Sequence, residues 1–170
     1  RLGFPNDEVR YGFLDNLLPA YTSIRTDKTG LSIWEFYEQI EKGDVEGFME
    51  KMKGIISGIP YDTVTEKDIA LREQNYQTAV YLVFALMNQF VHTEVHCATG
   101  RADCIVEMKD KIYLFEFKVA ANGSAEDAIK QIQEKGYADK YAGSGKKVIA
   151  IGSSFDEVKR TIKDWKTEQL

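Results

Sequence analysis

The sequence predicts an α/β protein whose mixed sheet, containing a hairpin, is flanked by helices and preceded by an all-helical stretch. Three observations carry this. Up to about residue 90 the apolar residues recur at helical spacing, and from about residue 92 the period drops to two. One further helical segment then separates the third period-two segment from the fourth. Helix, three strands, helix and one or two strands is an order that suits a sheet covered by helices. A doubly wound nucleotide-binding fold is excluded, since there is no GxGxxG and too few strand–helix units alternate.

The first helix is expected over DEVRYGFLDNLLPAY, where Val9, Phe13, Leu14 and Leu17 recur at helical spacing and Pro19 comes at the end of the run. Ser32 and Glu35 have capping-box spacing ahead of IWEFYEQIEKG, which Gly43 closes. Asp44 caps VEGFMEKMKGIIS, whose Val45, Phe48, Met49, Met52, Ile55 and Ile56 form one apolar stripe, a core face rather than a cofactor box. Gly58-Ile59-Pro60 breaks the pattern. The boundary between a helical extension (residues 1–60) and a second domain (residues 61–170) is placed there. Thr65 and Asp68 repeat the capping-box spacing and start a long helix to about Phe90, with Ile69, Tyr76, Val80, Phe84 and Met87 on one face. Its run AVYLVFALM is about half of the roughly 20 apolar residues a membrane span needs, so it reads as a buried helix.

Residues 92–98, 102–108, 111–119 and 146–152 then read as strands, and Thr161–Lys166 as a last edge strand. Between them Ser124, with Asp127 three residues on, starts a helix expected to run to about Tyr141. Its apolar stripe is Ala125, Ala128, Ile129, Ile132 and Gly136, with Gln131 at the stripe's edge and Tyr137 on the opposite face.

The bulk properties narrow the function classes. At 170 residues the chain suffices for one packed domain, or a domain with a helical extension. Cys97 and Cys104 are too few for a disulfide scaffold and suit small apolar positions on strands. His92 and His96 lack the CxxC or third ligand of a zinc site. The chain does not begin with Met and shows no basic-then-apolar leader, so a cytoplasmic setting and a longer parent protein are expected. A net charge of −5 argues against tight, sequence-independent DNA binding by this piece alone. Only Lys146–Lys147 and the stretch Lys159–Lys166 are locally basic.

The chemistry is concentrated in GRADCIVEMKDKIYLFEFK, residues 100–118. Along 111–119, Ile112, Leu114, Glu116 and Lys118 alternate with Tyr113, Phe115, Phe117 and Val119, as in a central strand covered on both faces. If Lys109-Asp110 is a two-residue hairpin turn, Met108 faces Lys111 and Asp103 lies opposite Glu116 on the same face. Two carboxylates with β-carbons roughly 5 Å apart repel unless one is protonated or a cation neutralises them. Hard oxygen ligands at that spacing suit Mg²⁺, which keeps waters for a substrate phosphate. Lys118 sits about 7 Å further along the strand, where its ammonium could polarise a water or stabilise a charged transition state. The competing reading is a pair of solvated carboxylates and a same-face Glu116–Lys118 ion pair.

The pattern Gly100-Arg101-x-Asp103, hairpin, Glu116-Phe117-Lys118, followed by the Gln131 helix and QIQEKGYADKY, resembles the PD-(D/E)xK nuclease superfamily. It is similar in particular to the branch found C-terminal to AAA-ATPase-like domains. The resemblance covers roughly residues 65–155, and LGFPNDEVRYGFLDNLLPAY is similar to the helical stretch preceding that core. It implies a restriction-endonuclease-like αβββαβ core, Mg²⁺ or Mn²⁺, nucleic acid (DNA) as substrate, and an ATPase-like domain upstream in the full-length chain. Asp103 and Glu116 would be metal ligands, and Lys118 the catalytic base or water-orienting residue. Glu73, from the first core helix, would add a ligand; its other reading is a boundary carboxylate hydrogen-bonded to a tyrosine. Gln131 would orient substrate or water, against the alternative of a helix-edge surface glutamine. Residue 102 is Ala where the family's name-giving motif has Pro, and no ligand is lost by that.

Two functions remain open from sequence. The first is a metal-dependent nuclease; the second is a non-catalytic module that binds nucleic acid or a partner domain of an AAA-ATPase-like protein.

Overall fold

Four helices occupy the described part of the first half of the chain. The computed structural model describes residues 6–21, 29–57, 80–87, 95–96, 103–156, 158–159 and 161–170. The chain divides into two compact units, Arg1–His92 and Thr93–Leu170. The boundary expected at residues 58–60, the Thr65–Asp68 cap and most of the helix that follows it lie outside the described residues.

Helix α1 (Asp7–Tyr21) is opened by Asn6, whose side-chain oxygen accepts from the Val9 N–H at 2.9 Å. The stripe expected on it needs correction at Val9, which is exposed; among the side chains described on this helix Leu18 is fully buried, and those of Phe13 and Leu14 lie outside the description. Helix α2 (Thr29–Lys42) begins three residues before Ser32, so Ser32 and Glu35 are not its capping box. Gly30 lies inside the added turn and no proline does; a glycine in the first turn and a serine inside a helix each cost about 1 kcal/mol or less, which packing of the helix can offset. Gly43 ends α2, and Asp44 caps α3 (Val45–Ser57) by accepting from the Gly47 N–H at 2.9 Å. The six-residue stripe of α3 is buried as expected. Residues 80–87 form α4, buried on nearly every side with Tyr81 as the exposed exception.

The second unit is built on a five-stranded sheet in the order β1-β2-β3-β4-β5: Val95–His96, Cys104–Glu107, Lys111–Val119, Lys147–Asp156 and Thr161–Gln169. Only β3 and β4 run parallel; the other neighbours are antiparallel, so the sheet is mixed. The β2–β3 hairpin has the register that a two-residue Lys109-Asp110 turn sets, with Cys104 opposite Phe115 and Glu107 opposite Ile112. The Met108 N–H closes the turn on the Lys111 carbonyl at 2.7 Å. Strand β4 runs four residues past its expected end at Gly152. Gly152-Ser153-Ser154 has poor strand propensity, but it is paired on one side by β3 and on the other by β5, and ladder partners on both sides override local preference. Strand β5 likewise continues from Lys166 to Gln169.

Helix α5 (Ala125–Glu134) packs on the sheet face that carries Ile105, Ile112, Leu114, Val148 and Ala150, burying Ile129 and Ile132 against them. Its N-terminus is the full Ser124–Asp127 capping box. It stops seven residues short of Tyr141. Gly136 takes φ +60°, its N–H returns to the Gln133 carbonyl, and the Tyr137 N–H returns to that of Ile132. This is a Schellman ending, in which glycine carries the left-handed residue and Tyr137 packs back on the apolar cluster. A 3₁₀ turn (Asp139–Tyr141) then returns Tyr141 to that cluster.

Gly152 fixes how closely α5 approaches β4. A β-carbon there would lie 2.3 Å from the Ala125 carbonyl oxygen and 2.9 Å from the Ala128 β-carbon. Gly152→Ala is therefore expected to destabilise the protein by roughly 3 kcal/mol. Denaturant unfolding measures this, and a loss within a few tenths of a kcal/mol would contradict the close contact.

Candidate active site

Strand β3 leaves the apolar cluster as it runs from Leu114 to Glu116. Ile112 and Leu114 pack under α5, and the same alternation brings Glu116 and Lys118 to the same face at the C-terminal end of the strand. On one side, Gly152 is the parallel partner of Glu116. Its missing side chain lets α5 settle against the sheet, and this brings Gln131 down onto Glu116. On the other side the β2 ladder ends at Cys104, and Asp103 follows immediately outside it. The Phe117 N–H is then taken by the Asp103 carboxylate at 2.8 Å.

Glu116, Lys118 and Gln131 form a closed hydrogen-bonded ring. The Gln131 amide N–H donates to Glu116 Oε1, and Lys118 Nζ donates to Gln131 Oε1. Lys118 Nζ also donates to Glu116 Oε1 at 3.3 Å. The glutamine thus spans the carboxylate and the ammonium, its amine end toward the first and its carbonyl toward the second. Glu116 is only 3 % exposed, and its second oxygen, Oε2, is buried without a hydrogen-bond partner among the described residues. Burial raises the pKa of Glu116 above the ordinary carboxylate value, and the Asp103 charge raises it further. Lys118 and, after it, a hydrogen bond from the Asp103 backbone pull the other way without cancelling these effects. Asp103 itself is exposed.

The structure therefore brings together Glu116, Lys118 and Gln131 directly, with Asp103 close enough for its charge to act on Glu116. Glu73, Arg101, His92 and Cys97 lie outside the described residues. Cys104 is buried on β2, the apolar position expected of it. Among the described residues no three His, Cys, Asp or Glu side chains group to hold a metal by themselves. Two carboxylates with water and phosphate completing the shell is the arrangement Mg²⁺ ordinarily accepts.

Sequence reasoning missed a polar row beside the site. Ser154, opposite Lys118 in the parallel ladder, is buried, and its hydroxyl donates to Asp164 on β5. Next to it, Lys166 of β5 donates to Glu126 in the first turn of α5. Carrying the β4 alternation two residues past Gly152 would have put Ser154 on the face of Lys118. The pairing with β5 crosses a turn whose register the sequence does not state.

Residues 71–165, more than half of the chain, match the family model of the PD-(D/E)XK nuclease superfamily. The chain is also similar to an uncharacterized protein in the vnfD 5′ region of Azotobacter chroococcum, 31% identical over 173 residues. That match takes in 100% of this chain and 33% of the relative, so the chain spans about a third of the relative's length. No solved structure matches the chain.

Proposed function

The chain belongs to the PD-(D/E)XK nuclease superfamily, and we propose that its Asp103–Glu116–Lys118 site hydrolyses phosphodiester bonds in nucleic acid, DNA in the first instance, with Mg²⁺ or Mn²⁺. One observation supports this most. A nearly fully buried carboxylate keeps one oxygen without a partner among the described residues, beside a second carboxylate and a held ammonium. An arrangement of that kind is costly in isolation and is relieved by a divalent cation. Asp103 and Glu116 would hold the ion, with Glu73 as a third candidate ligand. When bound, the ion would supply Lewis-acid polarisation of a phosphoryl oxygen and a lowered pKa for water.

The chain's own residues do the rest. Lys118 presents an ammonium that stabilises negative charge developing on the phosphate or orients the attacking water. Gln131 fixes that ammonium relative to Glu116, so that the water-activating and charge-stabilising groups keep one geometry. The Asp103 carboxylate is held at the end of β3 by the Phe117 N–H rather than left to rotate freely.

The test is cleavage of plasmid and single-stranded DNA by purified protein with Mg²⁺ or Mn²⁺, and with chelator in its place. Metal-dependent cleavage that Asp103→Ala removes is the expected outcome. Cleavage that survives both Asp103→Ala and Lys118→Ala would place the activity elsewhere.

A second reading is a module that binds nucleic acid or a partner domain without hydrolysis. The acidic balance, −5 over the chain, favours it to the extent that it opposes tight phosphate binding. Millimolar or weaker affinity for both metals by calorimetry, with no cleavage of any nucleic acid, would select this reading. In either case we place the domain C-terminal to an AAA-ATPase-like domain and in the cytoplasm. The relative is about three times the length of the matched segment, which leaves room for a further domain. No helix among the described residues is long and apolar enough to cross a membrane.

A further inference from the structure

Strand β5 ends the sheet, and among the described residues no strand pairs with its outer edge. Lys163, Asp164, Lys166 and Thr167 on it are exposed and Trp165 is half-buried. Nine residues of edge backbone are a template for another strand. We propose that a second copy of this chain occupies it, β5 against β5, antiparallel, about a two-fold axis through Trp165.

The residues of β5 select both the occupant and the register. In a two-fold antiparallel pair, each residue meets one from the same face of the sheet, so the axis falls on a residue. With the axis on Trp165, Asp164 faces Lys166 of the second copy and Lys166 faces its Asp164. Trp165 then meets its own counterpart, and Lys163 meets Thr167. Shifting the axis to Asp164 sets two aspartates against each other. Shifting it to Lys166 opposes two lysines and also sets Asp164 against Glu168. Opposite charges and aromatic pairs stabilise directly facing positions, and like charges destabilise them. Of these three the Trp165-centred register alone avoids like charges, and it pairs all nine residues of β5; an axis on Thr167 also sets Lys166 against Glu168 but joins only residues 165–169. Edge lysines usually repel an incoming strand; here no lysine meets a lysine.

Existing partners leave room for this. One oxygen of Asp164 accepts from Ser154, and Lys166 donates to Glu126, yet a carboxylate and an ammonium each take further partners. An axis normal to the sheet keeps the two Asp103–Glu116–Lys118 faces on the same side. The two β3 strands then lie five strand spacings apart, roughly 24 Å. Double-stranded nucleic acid is the substrate form that two such sites suit, a consequence that rests on the nuclease reading, whereas the dimer does not.

The test is sedimentation equilibrium of the purified protein over a wide concentration range, without reference to activity. A monomer–dimer equilibrium is expected. Asp164→Lys and Lys166→Asp are each expected to raise its dissociation constant roughly tenfold or more, and the two exchanges together to restore it. Trp165→Cys, independent of charge, is expected to cross-link to its own copy on mild oxidation, because facing positions lie within the reach of a disulfide. A monomer at every concentration, or a dimer indifferent to both single charge reversals and without that cross-link, overturns the proposal and leaves the edge to a segment of different chemistry.

Discussion

Replacing Lys118 by Ala is expected to lower metal-dependent cleavage by roughly 100-fold or more, with the loss in kcat rather than KM. The side chain sits at the C-terminal end of a strand whose preceding same-face residues are buried, so the substitution removes a tip and leaves the core untouched. Its ammonium is fixed by two acceptors, Glu116 Oε1 and Gln131 Oε1, and a group fixed before the reaction needs no reorganisation during it. Removing a preorganised donor aimed at developing charge typically costs two to three powers of ten. Substrate affinity should change little, because phosphate contacts elsewhere and the cation carry ground-state binding. The measurement is a steady-state comparison of wild type and variant at saturating metal. A variant that loses affinity but retains kcat would make Lys118 a binding residue, and one that retains both would remove it from the site.

The prediction was reachable from sequence because the relevant information is local. Strand β3 has the expected bounds, since alternating apolar and charged residues over nine positions leave little freedom in which face each occupies. The hairpin register followed from one short turn, and with it the adjacency of Asp103 and Glu116. The Ser124–Asp127 capping box follows the same logic, because both partners lie within one turn. What was not legible depends on contacts between segments far apart in the chain. The parallel alignment of Glu116 with Gly152, which lets α5 approach, spans a crossover whose length alone does not set the register. The early end of α5 was hidden because Gly136 sits at a stripe position, and its left-handed conformation shows only in the backbone. Gln131 was legible as a residue at the edge of the helix stripe. Its bridge between Lys118 and Glu116 was not, since that needs the depth to which α5 settles.

That depth leads to the second large effect, which concerns stability and metal binding together. Glu116 is buried beside Asp103, with one oxygen unpartnered among the described residues, and its pKa is raised above the unfolded value. In the metal-free protein, the folded state holds a proton on Glu116 through a pH range in which the unfolded chain has already lost it. Stability therefore falls as pH rises from the unfolded value to the raised folded value, and above that the full penalty is present. Glu116→Gln removes the charge and keeps an oxygen to accept from the Gln131 amide. In chelator at neutral pH it is expected to be more stable than wild type by about 1 kcal/mol, or about 3 °C in Tm for a chain of this size. The difference should vanish as pH falls below the unfolded carboxylate value, where wild type is protonated in both states. Adding Mn²⁺ should reverse the order at neutral pH. Wild type gains stability because the ion binds the folded state alone, while the variant, short of one anionic ligand, gains little. Thermal melts across pH with chelator, repeated with Mn²⁺, measure both halves of this. A wild type more stable than the variant in chelator would mean that Glu116 is satisfied without a cation. A variant that gains as much as wild type from Mn²⁺ would mean that the ion binds away from Glu116.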